Sequence, residues 1–499
     1  MCGFVVSVTK NLVDFNEKVG PDTLLRGLDS YNSDVFYSNG SCLYFEFSHL
    51  YITEPEVNQP LQSNSQVLVL NGEIYNYQEL AARLNIDPTK FNDVSTFFKH
   101  IECYGLLDTL MRSNGMYSGF LFNKITGQCE IFTDHVGKKP LLVWNSRIGW
   151  HVGTGIDFNY VDEKTTEIKV VPPGISAFDI KTGNTFKEYS HLPIKGNESN
   201  LIDTLEDAIS LRVPKNRPFA VALSGGLDSS IIAYILEARL SENAHYYVVG
   251  ERYPDSVLAL LEHLNICLSR VHLIKPPPAD ELLKLITKTC HITKSYNPSI
   301  ISNGLATLLL CKAVHQDGIR VMLSGEGADE FFCGYQGMYN GRNDPTEMRA
   351  NLIKDLHFTE LRRLDLISAS FSVEARCPFL DQRVTQIAMM LDVKNLCDIP
   401  MNIGKTLLRD TFKHLLPHSI INAPKESFDI TSGLQKLVID ELQKEFKSER
   451  VALRTIFEKT LANYPIVNHH YFSHYPAFDK MIDRRDLKYR KIEFSINTQ

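Results

Sequence analysis

The chain lacks a basic surplus. Its 52 Lys and Arg stand against 59 Asp and Glu, a formal net charge of −7, so the electrostatic footprint of a nucleic-acid partner is missing. It has no apolar run approaching the roughly 18 residues that span a bilayer. No basic stretch followed by an apolar one opens the sequence, so neither a membrane association nor a signal peptide is expected. Paired cysteine motifs are missing too. The ten cysteines, at 2, 42, 103, 129, 267, 290, 311, 333, 377 and 397, include no C-x-x-C, which removes the support for a zinc or thioredoxin-like reading. Spread over a long chain, they read as reduced, mostly buried thiols of a cytoplasmic protein. On that reading the sequons Asn39-Gly40-Ser41 and Asn197-Glu198-Ser199 are chance. Internal repeats and low-complexity segments are also lacking. What is present is an ordinary globular composition, 43% apolar and 22% charged, over a length of 499 residues that suggests two to four domains.

Residues 1–190 carry short apolar or alternating runs, such as Phe4–Val8, Gln66–Leu70 and Gly119–Phe122. Turn pairs such as Asn39-Gly40, Asn71-Gly72 and Thr126-Gly127 separate them. This rhythm predicts a sheet-rich antiparallel domain, with helices over Tyr77–Leu84 and Ser95–Tyr104. Residues 191–200 are polar and contain Pro and Gly, and read as a linker. From 201 to 499 the rhythm changes. A helix is expected over Leu201–Leu211, a buried strand over Phe219–Leu223, then a glycine turn and a helix over Ser229–Leu240. Further buried strands are expected at Tyr246–Val249 and Val321–Leu323. Strands alternating with helices indicate a parallel α/β sheet, followed by a largely helical part from about 345. The charge-dense stretch Asp483–Lys491 reads as solvated.

The string Leu223-Ser224-Gly225-Gly226-Leu227-Asp228-Ser229-Ser230 joins a strand to a helix start. Two glycines let the backbone approach an anion, and the helix directs free N–H groups and its positive end there. Ser224 and Ser229 add hydroxyl donors. Asp228 alone would repel phosphate, and it makes sense with a divalent cation between them, as Mg²⁺ prefers. A plain strand–turn–helix with an N-cap is the bland alternative, and a lone Gly-Gly turn would favour it. The Gly-Lys-Ser/Thr ending of a Walker A loop is absent. A second loop, Ser324-Gly325-Glu326-Gly327-Ala328-Asp329-Glu330, follows another apolar strand. Its three carboxylates in five residues need a cation, a basic residue or a proton to compensate them.

The first loop resembles the S-G-G-x-D-S loop of N-type ATP pyrophosphatases. Together, Ser224–Ser230, Ser324–Tyr335, Pro254-Asp255, Val373–Asp381 and Lys425 in Pro-Lys-Glu-Ser-Phe resemble the synthetase half of the asparagine synthetase family, in order and in approximate spacing. The first half then gains meaning. Asn71-Gly72-Glu73-Ile74-Tyr75-Asn76 resembles the N-G-E-I-Y-N string of class II glutamine amidotransferases, and Gly137–Leu141 matches the family's G-x-x-P-L. With Met1 removed, Cys2 would carry a thiol and an α-amine of pKa about 7.7–8.0 that can act as its base.

The resemblance implies an Ntn-type α+β sandwich followed by an α/β pyrophosphatase domain, and a glutamine-hydrolysing, ATP-dependent synthesis of asparagine from aspartate through β-aspartyl-AMP. It implies Cys2 as nucleophile, Asn71 and Gly72 as oxyanion hole, and His49, Asn71, Gly72, Glu73 and Asp93 around glutamine. ATP would lie against Leu223, Ser224, Gly225, Gly226, Asp228, Ser229, Val249, Ser324 and Gly325. Asp228 and Asp329 would hold Mg²⁺. Glu326 would assist adenylation or deprotonate ammonia, and Lys425 would stabilise the departing pyrophosphate. Ammonia would travel inside the protein, and a homodimer is common in the family. The chain departs from the family pattern at Leu25 for a histidine, His49 for the arginine that holds the glutamine carboxylate, Thr133 for an arginine and Gly155 for a glutamate. These departures keep open a weakened or lost glutaminase, glutamine bound through Arg26 or another residue, an ammonia-dependent enzyme, or a non-catalytic paralogue. A same-fold synthetase that adenylates another carboxylate is a further alternative.

Overall fold

A computed structural model describes residues 2–10, 21–38, 40–189, 200–215, 217–341, 343–446, 448–460 and 469–473. Met1, the linker read at 191–200 apart from Asn200, both sequon asparagines and the Asp483–Lys491 stretch lie outside the described residues. The chain divides into two compact units, the first mainly residues up to 193 and the second mainly residues from 194.

Among the described residues the first unit holds twelve strands. They are β1 (Gly3–Thr9), β2 (Ser30–Ser38), β3 (Ser41–His49), β4 (Leu61–Gln62), β5 (Gln66–Ile74), β6 (Gly115–Asn123), β7 (Cys129–Thr133), β8 (Leu142–Ser146), β9 (Gly149–Gly153), β10 (Ile168–Val170), β11 (Gly174–Phe178) and β12 (Thr185–Tyr189). They form two six-stranded sheets in the orders β10-β8-β9-β1-β3-β2 and β12-β11-β7-β6-β5-β4. The two-residue period of a strand explains how β5 serves two cores. Val67 and Val69 pack with Phe4, Val6, Phe45 and Phe47 of the other sheet. Leu68 and Leu70 face the opposite way, onto Leu80, Phe97 and Ile101 of the helices Tyr77–Leu84 and Asp93–Tyr104. Each fully buried side chain of this kind contributes about 1.5–3 kcal/mol. The second helix begins two residues before the expected Ser95, because Asn92 caps it by accepting from the Ser95 N–H at 2.8 Å.

The second unit is built on β13 (Ala220–Ala222), β14 (His245–Val249), β15 (Val271–Ile274), β16 (Val321–Leu323) and β17 (Glu374–Arg376). All pairings are parallel, in the order β15-β14-β13-β16-β17. The chain therefore builds outward on one side of β13, then returns to build on the other. β13 and β16 flank the switch point, where α/β sheets open a crevice beyond the strand ends. The helix after the first loop is α-helical over Leu227–Tyr234 and continues as a π-turn over Ile235–Arg239, where one uninterrupted helix to Leu240 was expected.

β17 escaped the apolar-run criterion because two of its three residues are charged. They satisfy each other: Arg376 Nε meets Glu374 Oε1 at 2.8 Å, and Arg376 also donates to the Arg212 carbonyl at 2.9 Å. Arg212 in turn pairs with Asp381 at 2.9 Å, so the Val373–Asp381 string fastens the sheet edge. Among the described residues no helix is long and apolar enough to cross a membrane.

Candidate active site

Both loops of the second unit leave the switch point. In the first, Gly225 takes φ +76°, and a Cβ there would lie 2.4 Å from Ser256 Oγ. Gly226 N–H donates to Ser224 Oγ at 3.3 Å, and the Ser224 and Ser229 hydroxyls lie 3.2 Å apart. In the second loop, a Cβ on Gly325 would lie 2.9 Å from Asp228 Cβ, so glycine is what lets the two loops touch.

That approach brings Asp228 and Asp329 to one cation. Lys405 Nζ lies 2.6 Å from Asp228 Oδ2 and 2.6 Å from Asp329 Oδ1, and Lys425 Nζ lies 2.6 Å from Asp329 Oδ2. Burial alone would raise the Asp329 pKa, but the two ammonium groups hold its carboxyl well below the usual range. The same pairing, against burial, holds the Lys405 ammonium above its ordinary value.

The loop's other carboxylates are compensated differently. Glu326 Oε1 meets Arg363 Nη2 at 2.7 Å, and Glu360 holds the same nitrogen at 2.7 Å. Glu330 is pushed up to about 8 by burial and then by Asp329, while Tyr335 donates to it at 2.6 Å. Basic residues and a proton thus supply the compensation that three clustered carboxylates require.

Ser224, Asp228, Ser229, Ser324, Gly325, Glu326, Asp329 and Lys425 line one cavity. Leu223 and Val249 are buried at the strand ends, and neither they nor Gly225 and Gly226 are among the residues that line this cavity. Gly334 guards the ion pair, since a Cβ there would sit 1.9 Å from Asp329 Oδ1 and 2.4 Å from Lys405 Cε. Gly334→Ala is expected to cut turnover about a hundredfold with little change in fold, the usual order for a 1 Å misplacement. Steady-state kinetics beside circular dichroism checks it.

In the first unit, the Cys2 backbone nitrogen donates to Asn71 Oδ1 at 3.0 Å, and Cys2 Sγ lies 3.9 Å from the Leu50 carbonyl. Asn71 Nδ2 is buried with no hydrogen-bond partner among the described residues. Gly72 has φ +152°, and a Cβ would fall 2.0 Å from the Met116 carbonyl, so glycine alone fits there. Glu73 accepts from Thr53 Oγ1 at 2.5 Å, and Asp93 accepts the Ile74 N–H at 2.9 Å. Arg26 Nε donates to the Cys2 carbonyl at 3.2 Å.

His49 is buried beside Phe47 and Tyr51. Its Nε2 accepts the Gln59 N–H at 3.4 Å, which assigns the ring proton to Nδ1. Burial lowers its pKa to about 4, so it brings no charge to a ligand carboxylate. His151, held at 2.8 Å by Ser7 and by Ser146, is lowered by burial to about 3. Both folded-state values lie below the unfolded one of about 6.5. As pH falls below about 6.5 the unfolded chain takes up protons that the folded one refuses, and stability is lost toward pH 4. Chemical denaturation across that range should show this loss, and His49→Gln should lessen it.

Residues 200–351 and 338–476 match the family model described as asparagine synthase, more than half of the chain, and residues 1–157 match the glutamine amidotransferase domain. The chain belongs to the asparagine synthase family. It is 28% identical to "Asparagine synthetase [glutamine-hydrolyzing] 2" of Oryza sativa subsp. japonica over 445 residues, 82% of this chain and 73% of that protein. It is 28% identical over 433 residues to the asparagine synthetase of Brassica oleracea, 79% of this chain and 71% of that one. Identity to "Asparagine synthetase B [glutamine-hydrolyzing]" of Escherichia coli (strain K12) is 27% over 457 residues, covering 84% and 79%.

Within this asparagine synthase family chain, Tyr335 closes the Ser324–Tyr335 string, whereas no sequence motif marks Lys405, Arg363 or Glu360. Arg363, Glu360 and Tyr335 line the cavity, and Lys405 bridges its carboxylates. The one available signal was the need for cations opposite the acidic loop. It demands lysine or arginine without saying where along 499 residues it lies.

Proposed function

We propose that the chain is a glutamine-hydrolysing asparagine synthetase whose second unit joins aspartate to AMP. The aspartate β-carboxylate oxygen attacks the α-phosphorus of ATP, and the bond from that phosphorus to the bridging oxygen breaks to release pyrophosphate. Ammonia then attacks the acyl carbon, and AMP leaves with the bonding electrons. Glu326, placed by Arg363, takes the surplus proton. Lys405 and Lys425 stand where charge builds on the departing pyrophosphate, a kind of contribution worth about 2.7–4 kcal/mol per donor. Ser224, Gly225, Gly226 and Ser229 cradle its oxygens.

Two hard carboxylates meet at Lys405 Nζ, and Asp228 Oδ1 is buried with no hydrogen-bond partner among the described residues, a donor pair of the kind Mg²⁺ completes with water and phosphate oxygens. Asp228 and Asp329 would hold the ion, which would supply charge neutralisation for the phosphates. In the first unit the Cys2 thiolate attacks the glutamine amide carbon and expels ammonia, with Asn71 Nδ2 and the Gly72 N–H receiving the oxyanion and Glu73 and Asp93 near the ligand amine. Water then cleaves the thioester to glutamate.

The observation that carries this reading is the pair of loops at the switch point whose carboxylates and lysines interleave at 2.6 Å. The neutral His49 favours one second reading, an ammonia-dependent synthetase with a weakened first unit. Pyrophosphate release from ATP and aspartate, with glutamine or ammonium as nitrogen source, tests both. Turnover with both supports the first reading, turnover with ammonium alone supports the second, and turnover with neither overturns both.

A further inference from the structure

One wall of the cavity is made by the helix Pro298–Gln316, and Asp429 stands beside it. Asp429 is 1% exposed. Its Oδ2 is fully engaged, accepting from Ser302 Oγ at 2.6 Å and from Gln435 Nε2 at 3.1 Å. Its Oδ1 is buried and has no hydrogen-bond partner among the described residues. The cations that line the cavity are already held elsewhere, Arg363 by Glu326 and Glu360 and Lys425 by Asp329. Asp429 is therefore a buried carboxylate at a cavity wall with one oxygen in use and one without a donor. Leaving such an oxygen unpaired is costly, and an ammonium group is the donor that answers both its hydrogen-bonding and its charge.

Resting on the adenylation reading above, we propose that Asp429 receives the ammonium group of the acceptor. The second unit thereby selects an amino acid over the corresponding acid without the amine. Ser302 and Gln435 are positioning residues: they fix Oδ2 and so decide where Oδ1 stands. The neighbouring Ser299 and Asn303 on the helix are uncharged, so they add hydrogen bonds without competing for the ammonium.

The test is ATP–pyrophosphate exchange by the full chain with two matched pairs, aspartate against succinate and glutamate against glutarate. The wild type is expected to favour the amine-bearing member of its working pair by at least about a hundredfold in kcat/KM, since a site built to bond a group rejects the analogue lacking it. Asp429→Asn should raise KM for the amino acid, leave kcat for the deaminated acid in place, and bring the ratio near one. A wild-type ratio near one, exchange with the deaminated acids alone, or an Asp429→Asn protein that keeps the wild-type ratio overturns the assignment while adenylation stands. Exchange with none of the four acids overturns the adenylation reading, and this one with it. Should Asp429→Asn not fold, Ser302→Ala decides. It retains the carboxylate and removes one of the two donors that fix Oδ2, so it should lower the ratio by shifting KM for the amino acid alone, and an unchanged ratio counts against the proposal.

Discussion

Lys405→Ala is expected to abolish synthesis with either nitrogen source, a loss of at least about a thousandfold in kcat. In the folded chain this ammonium is the shared partner of Asp228 and Asp329, 2.6 Å from each, with its side chain only 4% exposed. Removing it leaves two carboxylates facing one another, with Lys425 compensating only Asp329. Breaking a buried pair by deleting one member costs about 3–5 kcal/mol, and the charge that should meet pyrophosphate is lost as well. Lys405→Arg retains the charge but not the compact geometry of an ammonium, so it should recover stability and only a small part of the turnover. Asp228→Ala should be silent with both sources too, because it removes one of the two carboxylates that share Lys405, the one whose buried Oδ1 has no hydrogen-bond partner among the described residues. Denaturation midpoints beside pyrophosphate-release rates separate the stability loss from the catalytic one. Substantial turnover in Lys405→Ala would show that the bridge is structural only.

Cys2→Ala is expected to remove glutamine-driven synthesis, by about a thousandfold or more, and to leave ammonium-driven synthesis within about twofold. Without the thiol no acyl-enzyme forms, while the Asn71 and Gly72 donors remain and cannot act without a nucleophile. The Cys2 side chain is half-buried against the sandwich core, and alanine there deletes one sulfur atom, so the fold should be little changed. Glutaminase assays and ammonium-dependent asparagine formation on the same preparation decide this. Glutamine-driven synthesis surviving in Cys2→Ala would place the nucleophile elsewhere.

The parts of the fold that the sequence made legible are those carried by short local patterns. The apolar run Val67–Leu70 could be read directly as a short strand, while its division between two cores appears only in the folded chain. The Leu223–Ser230 loop was legible because a phosphate site needs glycine, hydroxyls and a helix start in consecutive positions. β17 was not legible as a strand: Glu374 and Arg376 look solvated, and only the tertiary partners Arg212 and Asp381 explain their burial. Lys405 was hidden for a related reason. It lies 177 residues from Asp228 in a left-handed position before a short helix, and no local pattern links the two. Asp429 was hidden because its meaning comes from one unpaired oxygen at a cavity wall, a property that appears only after folding. The departure at position 49 was visible as a lost arginine, but the neutrality of His49 follows from its burial beside Phe47 and Tyr51.

The most direct test of the central claim is to follow oxygen. With ATP, ammonium and aspartate labelled with ¹⁸O in its β-carboxylate, an acyl-adenylate route transfers one labelled oxygen to the phosphate of AMP. The other labelled oxygen stays in the asparagine amide. Mass spectrometry of the products should find one ¹⁸O in AMP for each asparagine formed, and none in pyrophosphate. Label in inorganic phosphate with ADP as co-product, or asparagine formed with no label in AMP, would contradict the account.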